Sequence, residues 1–341
     1  MKYPGIFIVL LLTLLFASVA NAQDGEAFPI TVENCGIEVT FDAPPERAVT
    51  MNQGATEVML ALGLEDRMTG TAYLDDAILP EFEETYNSIP VLSDTYPSQE
   101  VLFGTDPDFV YGSYSSAFGE EAAGSREQLA ELGIGSYVSP VACADRTLRP
   151  ETVTIENVYG EILDIAAIFG VEDRAEALIE ELQTELADIN TALEDVEEPV
   201  TVFWFDSGSA GVYAGACCGA PGMIMKLVGV ENAFEDVEGS WATVSWEEVV
   251  ARDADAIVLV HAEWDTTESK IEILTGNPAY ADMVAVQNEN WVVVDFSYTT
   301  PNIRNVEAVR IIAEYLYPEQ FAEIDAAASG EADSGDTESD G

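Results

Sequence analysis

Positive charge is what this 341-residue chain most lacks: 12 lysines and arginines face 64 aspartates and glutamates, for a formal charge of −52. Such a surface repels phosphate backbones and anionic headgroups, which argues against nucleic acid and anionic membranes as partners. It suits a protein held in solution in salty surroundings, where screening weakens self-repulsion. Histidine is almost missing too. His261 stands alone, which argues against direct capture of zinc or copper by the chain, because those ions favour several imidazoles or thiolates. The four cysteines, Cys35, Cys143, Cys217 and Cys218, lack zinc-site spacing. In an exported chain they suit disulfides, with three full pairings open, one of which joins the neighbours Cys217 and Cys218. No Gly-Xaa-Ser-Xaa-Gly, His-Glu-Xaa-Xaa-His, Walker loop or Gly-Xaa-Gly-Xaa-Xaa-Gly is present, so no catalytic residue is assigned and no cofactor is expected.

Only one long apolar run occurs, Ile6 to Val19, and it is short for a membrane span. With Lys2 before it and Ala20-Asn21-Ala22 after it, residues 1–22 read as a cleaved secretory signal. No cysteine follows the cleavage point to carry a lipid, so the expectation is an exported, soluble monomer, periplasmic or extracellular. The 48% hydrophobic content supports two domain-sized cores. The expected division is an N-terminal lobe over 23–150, a bridging helix and a following helix over 151–198, and a C-terminal lobe over 199–325. An acidic tail over 326–341, almost free of apolar bulk, is expected to be disordered.

One pattern occurs twice. Glu100-Val-Leu-Phe-Gly-Thr-Asp-Pro-Asp108-Phe-Val-Tyr111 and Glu247-Glu-Val-Val-Ala-Arg-Asp-Ala-Asp255-Ala-Ile-Val258 each run from a glutamate through a short apolar helix and an Asp-Xaa-Asp turn into a strand. The offsets 247 − 100 and 255 − 108 are both 147. A unit repeated at half-chain spacing implies two similar lobes, each exposing one glutamate.

Around that repeat, strands alternate with helices. Strands are predicted at Gly36–Phe41, Ala48–Met51, Met68–Ala72, Phe109–Gly112, Tyr137–Val138, Val200–Phe205, Ile257–His261 and Trp291–Phe296. Mid-chain, Glu151–Phe169 and Arg174–Val196 are purely helical, with Thr152 as cap and Gly170 as stop. The fold class is therefore α/β: two doubly wound, Rossmann-like lobes joined by a long rigid helix, with a ligand cleft between them. Ligands in such sheets meet residues just past the carboxyl ends of strands. Those positions carry Tyr73, Tyr111, Tyr114, His261, Trp264, Phe296 and Tyr298, and loop residues Tyr96 and Trp241 are expected to join them. Flat aromatics with polar tips suit a bulky, partly apolar ligand. Arg304, Arg146 and Arg149 stand out because cations are scarce, and Arg304 is the candidate for an anionic ligand group. Asp206-Ser-Gly-Ser and the Gly215–Gly222 loop are weaker candidates for an anion.

The stretches Arg47-Ala-Val-Thr-Met-Asn-Gln-Gly-Ala-Thr-Glu-Val-Met-Leu-Ala-Leu-Gly63, Glu100–Val110 and Val244–Val258 resemble the iron-siderophore/cobalamin class of periplasmic substrate-binding proteins that feed ABC importers. The likeness spans roughly residues 30–320. It implies a receptor for a ferric siderophore, cobalamin or related compound. It also implies that Glu100 and Glu247 dock on the two permease subunits, driven by an ATPase. The segments from Asn52 to Glu57 and from Gly239 to Trp246 resemble a branch linked to a deazaflavin-cofactor precursor. A metal- or cofactor-dependent enzyme or scaffold on the same two-lobed shape is the rival reading.

Overall fold

A computed structural model describes residues 28–209 and 211–322, so the signal expected at 1–22 and the tail expected at 326–341 lie outside the described residues. The chain opens with an antiparallel hairpin of β1 (Ile30–Asn34) and β2 (Ile37–Phe41). Five short strands follow: β3 (Ala48–Met51), β4 (Met68–Ala72), β5 (Val91–Ser93), β6 (Phe109–Gly112) and β7 (Gly135–Val138). They form an all-parallel sheet ordered β5-β4-β3-β6-β7, whose winding reverses between β3 and β6. Every residue of β3 and β6 is buried, as strands covered on both faces require.

The second sheet contains β8 (Thr201–Ser207), β9 (Val212–Gly215), β10 (Glu231–Asn232), β11 (Trp241–Val244), β12 (Ala256–His261) and β13 (Trp291–Asp295). Its order is β11-β9-β8-β12-β13, with β10 alongside β8. Within this lobe β9 runs antiparallel to both β8 and β11. The segment responsible is Asp206-Ser-Gly-Ser. It ends β8 and starts the turn towards β9, with Gly208 at φ +100°, a conformation a side chain would resist.

Between the sheets lie the helices Ile155–Phe169 and Glu172–Ala192. The first starts two residues later than Thr152 would place it. Thr154 and Asn157 form the capping box instead, and Gly170 stops the helix in the left-handed conformation as expected. This first helix belongs to the N-terminal lobe: Phe169 meets Phe109 edge-on at 5.4 Å, and Tyr137 donates to Asp164 at 2.6 Å. The crossing between lobes is made by the following helix, 21 residues long, about 30 Å at 1.5 Å per residue. Arg174 near its start donates to the carbonyls of Leu62 and Gly63, while Glu185 accepts from Arg310 of the closing helix Asn305–Leu316. Among the described residues, no helix is long and apolar enough to cross a membrane.

Candidate functional site

A cavity of about 250 Å³ lies where the carboxyl ends of the two sheets face each other. Ser113 and Tyr114 follow β6, Ser139 follows β7, and Thr299–Pro301 follow β13. Gly219 and Ala220, which open the Ala220–Val228 helix, complete the wall with Trp241. The disulfides are Cys35–Cys143 and Cys217–Cys218, two of the bonds left open by the sequence. Both brace this region: the Cys143 carbonyl accepts from Arg149 Nε at 2.6 Å, and the Cys218 carbonyl accepts from Val153 N at 2.9 Å.

Of the residues expected to touch ligand, Tyr114 and Trp241 line the cavity. Tyr114 shares a hydrogen bond with Thr300, and burial pushes its hydroxyl well above the usual tyrosine range. Tyr73 and Tyr96 pack edge-on at 4.7 Å, close enough to Tyr114 to influence its titration. The Tyr96 hydroxyl donates to Asn52 Oδ1 and bonds Ser116. Trp264, 63% exposed, stands edge-on to Phe296 at 5.1 Å, and neither ring lines the cavity. Stacking with Tyr213 at 5.3 Å fixes Trp241 at the rim.

Two assignments change, at Tyr111 and Arg304, and two more residues lie apart from the cavity wall. Tyr111 is fully buried and its hydroxyl donates to Glu161, so it is a core residue rather than a ligand contact. Arg304 is spoken for: its guanidinium forks onto buried Glu57, with Nε at 2.7 Å, and Nη2 also donates to Ala77 O at 2.8 Å. Tyr298 turns its hydroxyl to Glu307 at 3.1 Å, and its ring lies 5.0 Å beneath the Arg304 guanidinium. His261 accepts from the Thr267 amide through Nδ1, and it lies outside the cavity wall.

Sequence reasoning underweighted Arg149, which does line the cavity, and passed over the small hydroxyl residues placed directly after apolar strands. It also missed the ties between lobes. Glu57–Arg304 is one, and the Ser297 amide donating to Asp76 at 2.6 Å is another.

Glu100 and Glu247 are both exposed, each the second residue of a short helix capped by a serine, Ser98 or Ser245. The offset 245 − 98 is again 147, so the repeat extends upstream. Its turn repeats as well, with Asp106 at φ 50° and Asp253 at φ 43°. Asp108 accepts from the amides of Glu46 and Arg47 before β3, and Asp255 from the amide of Thr201 opening β8. Each aspartate thus ties a strand start to its neighbour in its own sheet.

Comparison with known proteins agrees with this geometry. The chain is 25% identical over 337 residues to YvrC, an uncharacterised ABC transporter substrate-binding lipoprotein of Bacillus subtilis, covering 94% of this chain and 99% of that one. It is 26% identical over 285 residues to a cobalamin-binding protein of Halobacterium salinarum, covering 80% and 71%. A crystal structure of an ABC-type Fe3+-hydroxamate transport system from Saccharomonospora viridis superposes with a TM-score of 0.70 at 27% identity, covering 85% and 99%. The sequence model of the periplasmic binding protein family matches residues 49–298, which take in nearly all of both sheets and most of the cavity wall, and the chain belongs to that family.

Proposed function

We propose that this protein is the exported solute receptor of an ABC importer, that it binds a bulky metal chelate between its lobes, and that it presents Glu100 and Glu247 to the permease. The observation that carries this reading is the equivalence of the two glutamates. Same-length offsets, serine caps, left-handed aspartate turns and strand-tying carboxylates recur in both lobes. A two-fold permease would meet such a pair symmetrically. Relatives that bind cobalamin or belong to a ferric-hydroxamate system support the chelate class. Tyr73, Tyr96, Trp264 and Phe296 would then offer flat apolar surface around the cavity mouth.

The rival reading, a metal-dependent enzyme or scaffold, would need side chains converging on a metal. The four cysteines are consumed in disulfides, and His261 is engaged by Thr267. Native mass spectrometry of protein purified from its own exported fraction separates the two. An intact organic chelate is expected to travel with it. Stoichiometric metal without an organic ligand would defeat the receptor reading.

A further inference from the structure

The wall of the interlobe cavity departs sharply from the composition of the chain. A sequence with 64 acidic residues puts none of them in this wall and places one arginine there. The other cations are mostly engaged. Arg304 holds Glu57, Arg252 holds Asp236, Arg310 holds Glu185, and buried Lys270 holds Asp265. Arg149, like Arg67, Arg126 and Arg174, is held by a backbone carbonyl instead, and of these it alone lines the cavity. Its Nε is fixed by the Cys143 carbonyl, and its terminal nitrogens meet no carboxylate among the described residues. A guanidinium so held is a planar fork with its position already set, which lowers the entropy lost on meeting an oxyanion.

Two further groups in the same wall favour negative charge. The Ala220–Val228 helix opens on the cavity at Gly219 and Ala220; Pro221 carries no N–H, and the remaining first-turn amides carry partial positive charge. Ser113 Oγ already accepts from the Ala55 amide at 2.9 Å, so its own proton remains free to donate. Size completes the case. At about 250 Å³ the cavity falls short of the roughly 300–1,000 Å³ of sites that enclose a whole drug-sized molecule. It is too small to enclose a whole macrocycle, so the bulk of a large ligand would stay outside it.

We propose that this cavity is a socket for a single oxyanion arm of the ligand, a carboxylate or a phosphate, gripped by Arg149, the Ser113 hydroxyl and the Ala220–Val228 helix start, while the bulk of the ligand rests outside against Trp241. This rests on the receptor reading for its ligand but not for its chemistry. The ligand class is thereby narrowed to chelates that carry an exposed anionic arm, and a neutral chelate is disfavoured.

The test uses the full-length protein, Arg149→Gln and Arg149→Lys at fixed ionic strength. Citrate and inorganic phosphate are the small probes, read by thermal melting. Haemin, its dimethyl ester, cyanocobalamin and a neutral ferric trihydroxamate are the large ones, read by tryptophan quenching. The native melting temperature is expected to rise with citrate if the socket takes carboxylates, or with phosphate if it takes phosphates. Arg149→Gln should lose that rise and Arg149→Lys should keep part of it. Haemin binding the native protein at least tenfold more tightly than its ester, or cyanocobalamin losing at least tenfold in Arg149→Gln, would support the socket with a whole chelate. Equal responses of native protein and Arg149→Gln to every anion would overturn the socket. So would tightest binding of the neutral trihydroxamate, undiminished in Arg149→Gln. Anion responses that need Arg149, without binding of any chelate, would uphold the socket and defeat the chelate-receptor reading.

Discussion

Glu57 and Arg304 show how a single residue pair fixes the relation between the lobes. They are 247 positions apart, both nearly inaccessible, and joined by two hydrogen bonds. Glu57 also accepts from Gln53 Nε2 at 2.8 Å and from the Leu79 amide, so its lone pairs are well used. Removing one partner of such a pair strands the other charge in a dry site. Arg304→Met alone is therefore expected to cost about 3–5 kcal/mol, measured by urea denaturation. Replacing Glu57 by Leu in the same chain should recover much of that loss, and an equal or larger loss in the double variant would contradict a stranded charge as the cause. Glu161 and Asp75 act through protons. Burial is the main cause that raises Glu161 to about 7 and Asp75 to about 6, partly offset at Glu161 by donation from Ser139 and Tyr111 and reinforced at Asp75 by Asp76. Between the ordinary carboxylate value and these raised values the folded state binds more protons than the unfolded one, so stability falls as pH rises. Both contributions are present in full below the ordinary value and lost by the time pH has passed about 7 for Glu161 and about 6 for Asp75. Melting curves from pH 4.5 to 8 should therefore fall less steeply for Glu161→Gln and for Asp75→Asn than for the native protein. Unchanged slopes would show that neither group titrates in this window.

Among the elements, the repeated helix–turn–strand unit makes the most direct prediction. Asp108 accepts two backbone amides and Asp255 one. A bond to a charged group contributes about 1.5–3 kcal/mol, so Asp108→Ala should destabilise more than Asp255→Ala in denaturant melts. The reverse order would mean that the two turns do not hold their strands in equivalent ways. This unit was legible in the sequence because local chemistry dictates it: a capping serine, a helix-favouring run, and an aspartate that tolerates positive φ. Strands β3, β4 and β6 were equally legible, being apolar runs bounded by turn residues. Strand β5 is only three residues long and carries no period. The hairpin of β8 and β9 hides in a Ser-Gly-Ser sequence that also suits an anion loop, and only pairing with β11 decides between them. At the site, the strand-end rule named Tyr114 and the loop reading named Trp241, and both line the cavity. Strand ends misled at Tyr111 and Arg304, because sequence does not show which way a side chain leaves its strand or which of 64 carboxylates takes a given arginine.

For the molecule as a whole, the proposed receptor role would bring lobe geometry and surface charge together at a permease. The lobes are tied by Glu57–Arg304, Asp76–Ser297, Tyr114–Thr300 and the 21-residue helix, so they present their outer faces as nearly one body. Two contacts on a rigid body act together: once one is made, the other forms at high effective concentration. Single reversal, Glu100→Arg or Glu247→Arg, should therefore lower uptake strongly, and the double reversal should abolish it. Each glutamate lies in the first turn of its helix, where a change of sign costs about 0.3–1 kcal/mol, so the fold survives and ligand affinity should stay within a factor of about two. Raising the salt concentration should weaken docking of the native protein on permease vesicles, because exposed docking charges are screened. Parallel loss of docking and of ligand affinity in the double variant would place both glutamates in the support of the cleft and remove them from the permease interface.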